Sequence, residues 1–197
     1  MNKQIGFTLV EISIVLVIIG LILGTIMYNS DVLVGNTKAT STVKLIQDLT
    51  GAVSDFKARY HYLPGDLPKA SQDIPGITCD YGNGNGLIET TPNEVSCVAQ
   101  HLVLGGFIKG SAAGIVSPLN PGSSPDVFVM AAKISAVNVA AVNPFPATVQ
   151  NVIEISNIPL DAANAIDSKI DDGTLGSGNV MAASGVDATH VTLDVGL

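Results

Sequence analysis

The sequence is poor in charged residues, in aromatic rings and in cysteine, and each shortage argues against a class of protein. Charged residues make up 13 % of its 197 positions, about half the usual share, while hydrophobic residues reach 47 %. This composition excludes a disordered, charge-extended chain. Nine lysines and arginines stand against 17 acids, and aromatics reach only 5 % with no tryptophan. The chain therefore has neither the basic face nor the stacking platforms of a nucleic-acid-binding protein.

The charges and the apolar residues are unevenly distributed along the chain. Residues 1–60 carry five basic and four acidic groups, whereas the rest of the chain carries four basic and thirteen acidic groups. No charge occurs from Ile12 to Tyr28, and this run, extended back to Phe7, is long enough to cross a bilayer as a helix. We therefore predict a transmembrane segment at residues 7–28 and an acidic remainder in different surroundings.

Three features of this segment bear on its fate. A secretory signal peptide would have a shorter apolar core and a small-residue cleavage site, so we expect this segment to stay with the protein. Lys3 precedes the run, which predicts a cytoplasmic N-terminus and an exported remainder. Glu11 lies inside the apolar run, where a carboxylate is costly. Glu11 therefore either has a functional partner or lies at the level of the lipid headgroups.

The N-terminal residues Lys3, Gly6, Phe7 and Glu11, followed by the long apolar run, resemble the class III leader of type IV pilins and type II secretion pseudopilins. That family has a short basic leader ending in Gly, then Phe, a Glu at the fifth mature position and a long apolar run. The corresponding residues here are Gly6, Phe7 and Glu11. The resemblance implies that a prepilin peptidase removes residues 1–6 and that the new Phe7 amine is methylated. It also implies that Glu11 acts in assembly by neutralising the terminal amine of a neighbouring subunit, which offsets the cost of burying both charges.

The helical pattern continues beyond the apolar run as an amphipathic helix, residues 29–62. No proline occurs between Phe7 and Leu63. Apolar residues recur there at helical spacing, at Ile46, Leu49, Val53, Phe56 and Tyr60. One helix from Phe7 to Tyr60 would be about 80 Å long, with its first half in a filament core and its second half carrying a head. Many members of the resembled family have a helix-breaking proline near the position of Tyr28, so its absence here is a departure.

The exported head, residues 63–197, is predicted to combine short helices with a small sheet. The segment from Leu63 to Pro68 is a turn signal in which Asp66 is expected to cap the residues that follow. The remaining patterns predict a helix within Val98–Ile108 that ends at Gly105-Gly106, a second helix at Leu160–Ile170, and strands at Val127–Ile134, Val149–Ile155 and Thr189–Val195. The predicted fold class is α+β and pilin-like, with a long N-terminal helix packed on a small antiparallel sheet.

Cys79 and Cys97 are the only two cysteines, and both lie on the predicted exported side. An exported pair is most simply a disulfide, which the entropic model values at about 3 kcal/mol for a loop of this size. The alternative, a redox or metal-binding pair, would favour a Cys-x-x-Cys spacing or a set of histidine ligands, and the sequence shows neither pattern.

A glycine-rich run, Gly82 to Gly86, lies between the two cysteines. It is interpreted as a flexible turn. The alternative is a calcium loop of the EF-hand type, in which Asn83, Asn85 and Glu89 would be ligands, although the first and last ligand positions of that motif are not matched.

Three acids near the C-terminus, Asp167, Asp171 and Asp172, form a candidate metal site. The surrounding residues 166–178 resemble a C-terminal pattern of pilin-like heads, and some pseudopilins bind calcium near their C-terminus, so the resemblance implies a calcium site. The alternative is a solvated helix end, although two acids there oppose the helix dipole. No other cofactor is expected, and the three histidines fit no catalytic or zinc pattern.

These patterns together predict a non-enzymatic subunit of a type IV pilus-like filament. The chain would enter the inner membrane, be cleaved after Gly6 and assemble with its own copies into a surface pilus. Its partners would be the prepilin peptidase, the inner-membrane assembly platform and minor pilins, with no nucleic acid. One alternative is a minor pilin or a periplasmic type II secretion pseudopilin. Another is a membrane-anchored extracytoplasmic binding domain or hydrolase, which would keep residues 1–6 and tolerate loss of Glu11.

Overall fold

The computed structural model describes residues 7–120, 125–131, 145, 148–183 and 189–197, without the side chains of residues 26–34, 130, 131 and 183. The chain divides into two compact units, Met1–Thr37 and Lys38–Leu197. The helices are α1 (Leu9–Tyr60), α2 (Ala70–Asp73), α3 (Cys97–Leu104) and α4 (Leu160–Ile170). The strands are β1 (Val127–Ala131), β2 (Asn151–Pro159), β3 (Val180–Ala183) and β4 (His190–Gly196). The predicted α+β class is confirmed.

The long helix α1 confirms the helix predicted from the absence of proline. It begins in a capping box, because the Glu11 N–H donates to Thr8 Oγ1 at 3.2 Å while Glu11 Oε2 accepts the Thr8 N–H at 3.0 Å. Lys57 and Arg59 lie in its last turn, where positive charge complements the helix dipole. The helix runs without a break through the position of Tyr28, as expected from the missing proline.

The second unit has a hydrophobic core to which α1, the loops and the sheet all contribute. The predicted apolar stripe of α1 is buried at Ile46, Leu49, Val53 and Phe56, whereas Tyr60 is half-buried at its edge. The same cluster includes residues from the turn after α1, from α3, from the sheet and from α4, namely Leu63, Leu67, Leu102, Val129, Ile153, Leu193 and Ile166. Helical spacing therefore identified the face of α1 that the head covers.

The sheet is antiparallel throughout, in the strand order β1-β2-β4-β3. Its central strand β2 pairs Ile153 with Val129 of β1 and with Val195 of β4, and its register shifts between Ile155 and Ile158. Asn157 adopts a left-handed conformation with φ 57° at this irregularity. The shift allows β2 to continue to Pro159, so this strand is longer than predicted.

The structure corrects the predicted elements in several places. Helix α3 begins at Cys97, one residue before the predicted start, and ends at Leu104, where Gly105 and Gly106 close it as predicted. The predicted strand from Val127 is β1 up to Ala131, and positions 132–134 lie outside the described residues. Helix α2 and strand β3 were not predicted, since each has only four residues and a weak pattern.

Among the described residues, no helix is both long and apolar enough to cross a membrane. The transmembrane segment predicted at residues 7–28 includes three residues whose side chains are not described, and it stays a prediction. The predicted leader, residues 1–6, including Gly6, lies outside the described residues.

Candidate functional site

The first unit presents an exposed apolar helix surface. Every large hydrophobic side chain between Phe7 and Leu23 is 46–86 % exposed. Because this helix is apolar around its whole circumference, it has no single face that would pack on a core of this chain. Such a surface requires lipid or another protein chain to cover it.

Glu11 lies at the start of this surface. Its Oε2 accepts the Thr8 hydroxyl at 2.9 Å and the Thr8 N–H at 3.0 Å. These bonds hold the carboxylate against the first turn of α1, four residues after Phe7, whose side chain is 82 % exposed. Glu11 is therefore near the predicted processing position in sequence. The structure also gives it a role as a helix cap that sequence reasoning missed. The sequence signal for this cap was Thr-x-x-Glu before an apolar run.

A carboxylate in the turn after α1 organises the glycine-rich run. Asp66 is 1 % exposed and accepts the N–H groups of Gly84 at 2.6 Å, Asn85 at 3.2 Å and Gly86 at 2.8 Å. Asp66 and the run from Gly82 to Gly86 are called the Asp66 latch below. Successive amides that point at one anion form a nest, which favours negative charge. The prediction that Asp66 caps the residues directly after it is therefore wrong.

The backbone of the latch is closely packed. A Cβ atom at Gly82 would lie 2.5 Å from the Leu67 carbonyl carbon, so only glycine permits this approach. Asn151 ties the same loop to β2, since its Oδ1 accepts the Ile88 N–H at 3.0 Å and its Nδ2 donates to the Gly86 carbonyl at 3.1 Å. The run is a fixed turn rather than the flexible one predicted.

Two glutamates complete the network around this loop. Glu94 is fully buried and accepts the N–H groups of Asn83 at 3.0 Å and Glu89 at 2.9 Å. Burial raises the pKa of Glu94, and these two hydrogen bonds oppose the rise. Glu89 accepts the side-chain amides of Asn83 and Asn85 at 3.1 and 2.9 Å. Because the loop directs its N–H groups at carboxylates, the geometry favours a structural turn over the calcium-loop alternative.

His101 connects the turn after α1 to the start of the disulfide loop. Its Nδ1 accepts the Gly65 N–H at 3.0 Å, so Nε2, which lies 3.1 Å from the Cys79 carbonyl, carries the proton and donates to it. The ring is fully buried and stacks on Phe56 with centroids 5.9 Å apart. Burial lowers the pKa of His101, while the Cys79 carbonyl and the charge of Asp80 oppose this. His101 is a core residue, in agreement with the absence of a catalytic pattern around it.

Cys79 and Cys97 form the disulfide that the exported pair predicted. Cys97 is the first residue of α3, and Gln100, one turn later, accepts the N–H of Cys79 at 2.8 Å and that of Thr78 at 2.9 Å. The cross-link and these hydrogen bonds hold both ends of the loop that contains the glycine-rich run Gly82 to Gly86.

The structure brings together the three acids predicted as a metal site. One oxygen from each of Asp167, Asp171 and Asp172 lies within 4.8 Å of the others. Asp167, on α4, is fully buried, and neither of its oxygens accepts a hydrogen bond from the described residues. Burial raises the pKa of Asp167, the charges of Asp172 and Asp171 add to the rise, and the Gly173 amide, which lies near the carboxylate without forming a hydrogen bond of normal geometry, opposes it.

The two exposed acids are held by the loop that follows α4. Asp171 Oδ2 accepts the backbone N–H groups of Asn179 and Val180, the latter at 3.2 Å. Asp172 accepts the Thr174 N–H and the Ser177 hydroxyl, each at 2.8 Å. The carboxylates are thus fixed near Asp167, and three hard oxygen donors suit calcium better than a softer metal.

One comparison with known proteins gives a result. Residues 1–27 match the family model described as the prokaryotic N-terminal methylation motif, which is the class III prepilin-type leader. The matched residues include Gly6, Phe7 and Glu11. No curated protein and no solved structure matches the chain.

Proposed function

We propose that this chain, whose N-terminal methylation motif supports a type IV pilin-like or pseudopilin protein, is a structural subunit of a type IV pilus-like helical filament. The proposal rests on two features that occur together in one segment of the chain. The leader motif is followed directly by a helix that exposes apolar side chains from Phe7 to Leu23. A helix of this kind has to be covered by lipid before assembly and by other subunits afterwards. The role is structural and involves no catalytic step.

The leader motif supports the processing steps and the partners that we propose. A prepilin peptidase would cut between Gly6 and Phe7 on the cytoplasmic side and methylate the new amine. The processed chain would wait in the inner membrane, and the assembly platform and minor pilins would add it to a pilus at the cell surface.

Glu11 would set the register of each added subunit. Its carboxylate is held on the first turn of α1 by Thr8, so it presents a fixed negative charge at the start of the apolar surface. The methylated Phe7 amine of a neighbouring subunit is the matching positive charge. A correct register pairs the two buried charges, whereas a wrong register leaves each unpaired at a cost of several kcal/mol, roughly 3–5 by the usual magnitude for a broken buried pair.

Intact mass and N-terminal sequencing of protein from sheared surface filaments of the native host would test the proposal. A methylated Phe7 start in that fraction supports a surface pilin. Processed protein found only in the membrane fraction supports the alternative of a periplasmic pseudopilin or a low-copy minor pilin. Retention of Gly6 contradicts both and favours a membrane-anchored domain.

We further propose that Asp167, Asp171 and Asp172 bind a calcium ion. The observation that favours this is the Asp167 carboxylate, which is fully buried beside two other acids without a hydrogen bond to any described residue. A buried charge in this position is expensive unless it is neutralised, and a divalent cation would neutralise it and use its free oxygens as ligands. Backbone carbonyls and water would supply the remaining ligands.

Calorimetric titration of the processed, detergent-solubilised protein with calcium tests this second proposal. Binding by the wild type that is lost in Asp167→Asn supports it, with Asp161→Asn on the same helix as the matched control. Absence of binding by the wild type, or equal binding by Asp167→Asn, contradicts it.

A further inference from the structure

Two Asn-Gly pairs follow each other in the Asp66 latch, Asn83-Gly84 and Asn85-Gly86. Asn-Gly is the pair in which asparagine is chemically least stable, because glycine has no side chain to hinder attack by its own backbone nitrogen. That nitrogen loses its proton and bonds to the side-chain carbonyl carbon of the asparagine, and ammonia leaves. Water then opens the resulting succinimide to aspartate or isoaspartate. The reaction requires water and no other reactant.

The structure occupies both attacking nitrogens. The Gly84 N–H donates to Asp66 Oδ1 at 2.6 Å, and the Gly86 N–H donates to Asp66 Oδ2 at 2.8 Å. A carboxylate in this position holds the proton that must leave. It also opposes the negative charge that develops on the nitrogen as it attacks.

The asparagine side chains are held as well. Asn83 Oδ1 accepts the Asn85 N–H at 2.9 Å, and Asn85 Oδ1 accepts the Leu87 N–H at 2.8 Å. Both side-chain amides donate to Glu89 Oε2, at 3.1 and 2.9 Å. Both asparagines are nevertheless exposed, so water and base can reach them. Hydrogen bonding, and not burial, is therefore what would limit the reaction.

We propose that Asn83 and Asn85 are conditional modification sites, protected from deamidation by Asp66 in the folded head and modified once the latch opens. The inference does not rest on the filament function. A product aspartate would place a second carboxylate against Glu89 in place of an amide donor, and the two like charges would repel each other. An isoaspartate would add a backbone atom and shift the amides away from Asp66. Either product weakens the latch, so an opening that lasts long enough for reaction leaves a permanent covalent mark.

Peptide mapping with mass spectrometry and isoaspartate detection would test this inference. The full processed protein is incubated at mildly alkaline pH, in one sample folded and in another denatured with its disulfide reduced. We expect deamidation at both asparagines to be roughly tenfold slower or more in the folded sample, since reaction there requires local opening. Equal rates in the two samples would overturn the proposal, and this comparison requires no variant to fold.

Two substitutions assign the protection to Asp66. In folded Asp66→Asn, one acceptor oxygen becomes an amide donor at nearly constant size, and deamidation should rise clearly above the wild-type rate at one or both of Asn83 and Asn85. Asp73→Asn removes an exposed acid outside the network and should keep the wild-type rate. A folded Asp66→Asn protein that stays as slow as the wild type would show that another feature protects the loop and would overturn the assignment.

Discussion

The two units of this protein differ in where their side chains find partners. Between Phe7 and Leu23, the first unit exposes 46–86 % of each large apolar side chain. In the second unit, Asp66 and Glu94 are almost completely buried, and together they accept five backbone N–H groups of one loop. The first unit therefore depends on its surroundings, whereas this loop of the head is stabilised by contacts within the chain.

This difference predicts that assembly and head stability can be separated by mutation. Substitutions near the start of α1 should change what the chain binds without changing how the head unfolds. Substitutions in the latch should do the reverse. A substitution that disturbs assembly and head stability equally would contradict this separation.

The largest effect is expected for Glu11→Ala, which should abolish ordered filaments. The loss follows because the methylated amine of a neighbouring subunit would have no partner when buried. Filaments are counted by electron microscopy, and head stability is measured by thermal unfolding. The free energy of unfolding should change by less than about 0.5 kcal/mol, as is usual for exposed positions.

Two further variants separate the charge of Glu11 from its role as a cap. Glu11→Gln can keep the hydrogen bonds of the capping box but carries no charge, so it should also fail to assemble. Asp55→Asn removes an exposed acid from the same helix and should assemble normally. Normal filaments from Glu11→Gln would show that capping, not charge pairing, is what assembly requires.

The next effect in size is expected for Asp66→Ala, which should destabilise the head by about 2–3 kcal/mol, because three backbone amides lose a charged acceptor and the Gly86 N–H loses the one acceptor it has among the described residues. Denaturant unfolding measures the loss, with Asp73→Ala as a control that should lie within about 0.5 kcal/mol of the wild type. If the variant folds at low temperature, its α1 should still support filaments. Unchanged stability of Asp66→Ala would contradict the structural role of the latch.

The sequence predicted those features that depend on local patterns. Absence of proline and helical spacing predicted α1 and its buried stripe, and two cysteines on the exported side predicted the disulfide. The helix Leu160–Ile170 was predicted with the bounds it has in the structure. In each case the residues that decide the outcome are neighbours in sequence, or are the only members of their type.

The latch was missed because its contacts are long-range. Asp66 binds amides 18–20 positions away, Gly65 donates to His101 36 positions away, and Asn151 reaches the loop from β2. Nothing in the local sequence distinguishes an aspartate that caps its own turn from one that binds a distant loop. The sequence did place Asp167, Asp171 and Asp172 together, because they lie within one turn and a half of each other, but the burial of Asp167 depends on tertiary packing.

A smaller effect on the free energy of unfolding is expected for Asp167→Asn. The variant should be more stable than the wild type without calcium and less stable with it. Without calcium, Asp167→Asn should stabilise the head by about 1 kcal/mol, because it removes a buried charge that no hydrogen bond compensates. With calcium at 100 times its dissociation constant, the wild type should gain about 2.7 kcal/mol and the variant should gain none. Thermal unfolding with calcium and with a chelator measures both. Identical thermal unfolding curves of the wild type with calcium and with the chelator would contradict calcium binding at these acids.

The smallest effect is a pH dependence that belongs to His101. Its pKa is lowered in the folded head, so the unfolded chain binds the proton more readily. Its contribution to stability is therefore complete above the ordinary value of 6.5 and is lost as the pH falls below 6.5 toward the lowered pKa. Protonation would add a hydrogen to Nδ1, where the Gly65 N–H now donates.

The buried acids act in the opposite direction. The pKa values of Glu94 and Asp167 are raised, so their folded forms take up protons more readily than the unfolded chain, and their contributions increase as the pH falls. A decrease in unfolding free energy that begins just below pH 6.5 is consequently assigned to His101. Chemical unfolding across this range should show the decrease in the wild type and a flatter profile in His101→Asn, whose amide oxygen can still accept from Gly65 but does not titrate. A decrease of the same size in both proteins would assign the pH dependence to another group.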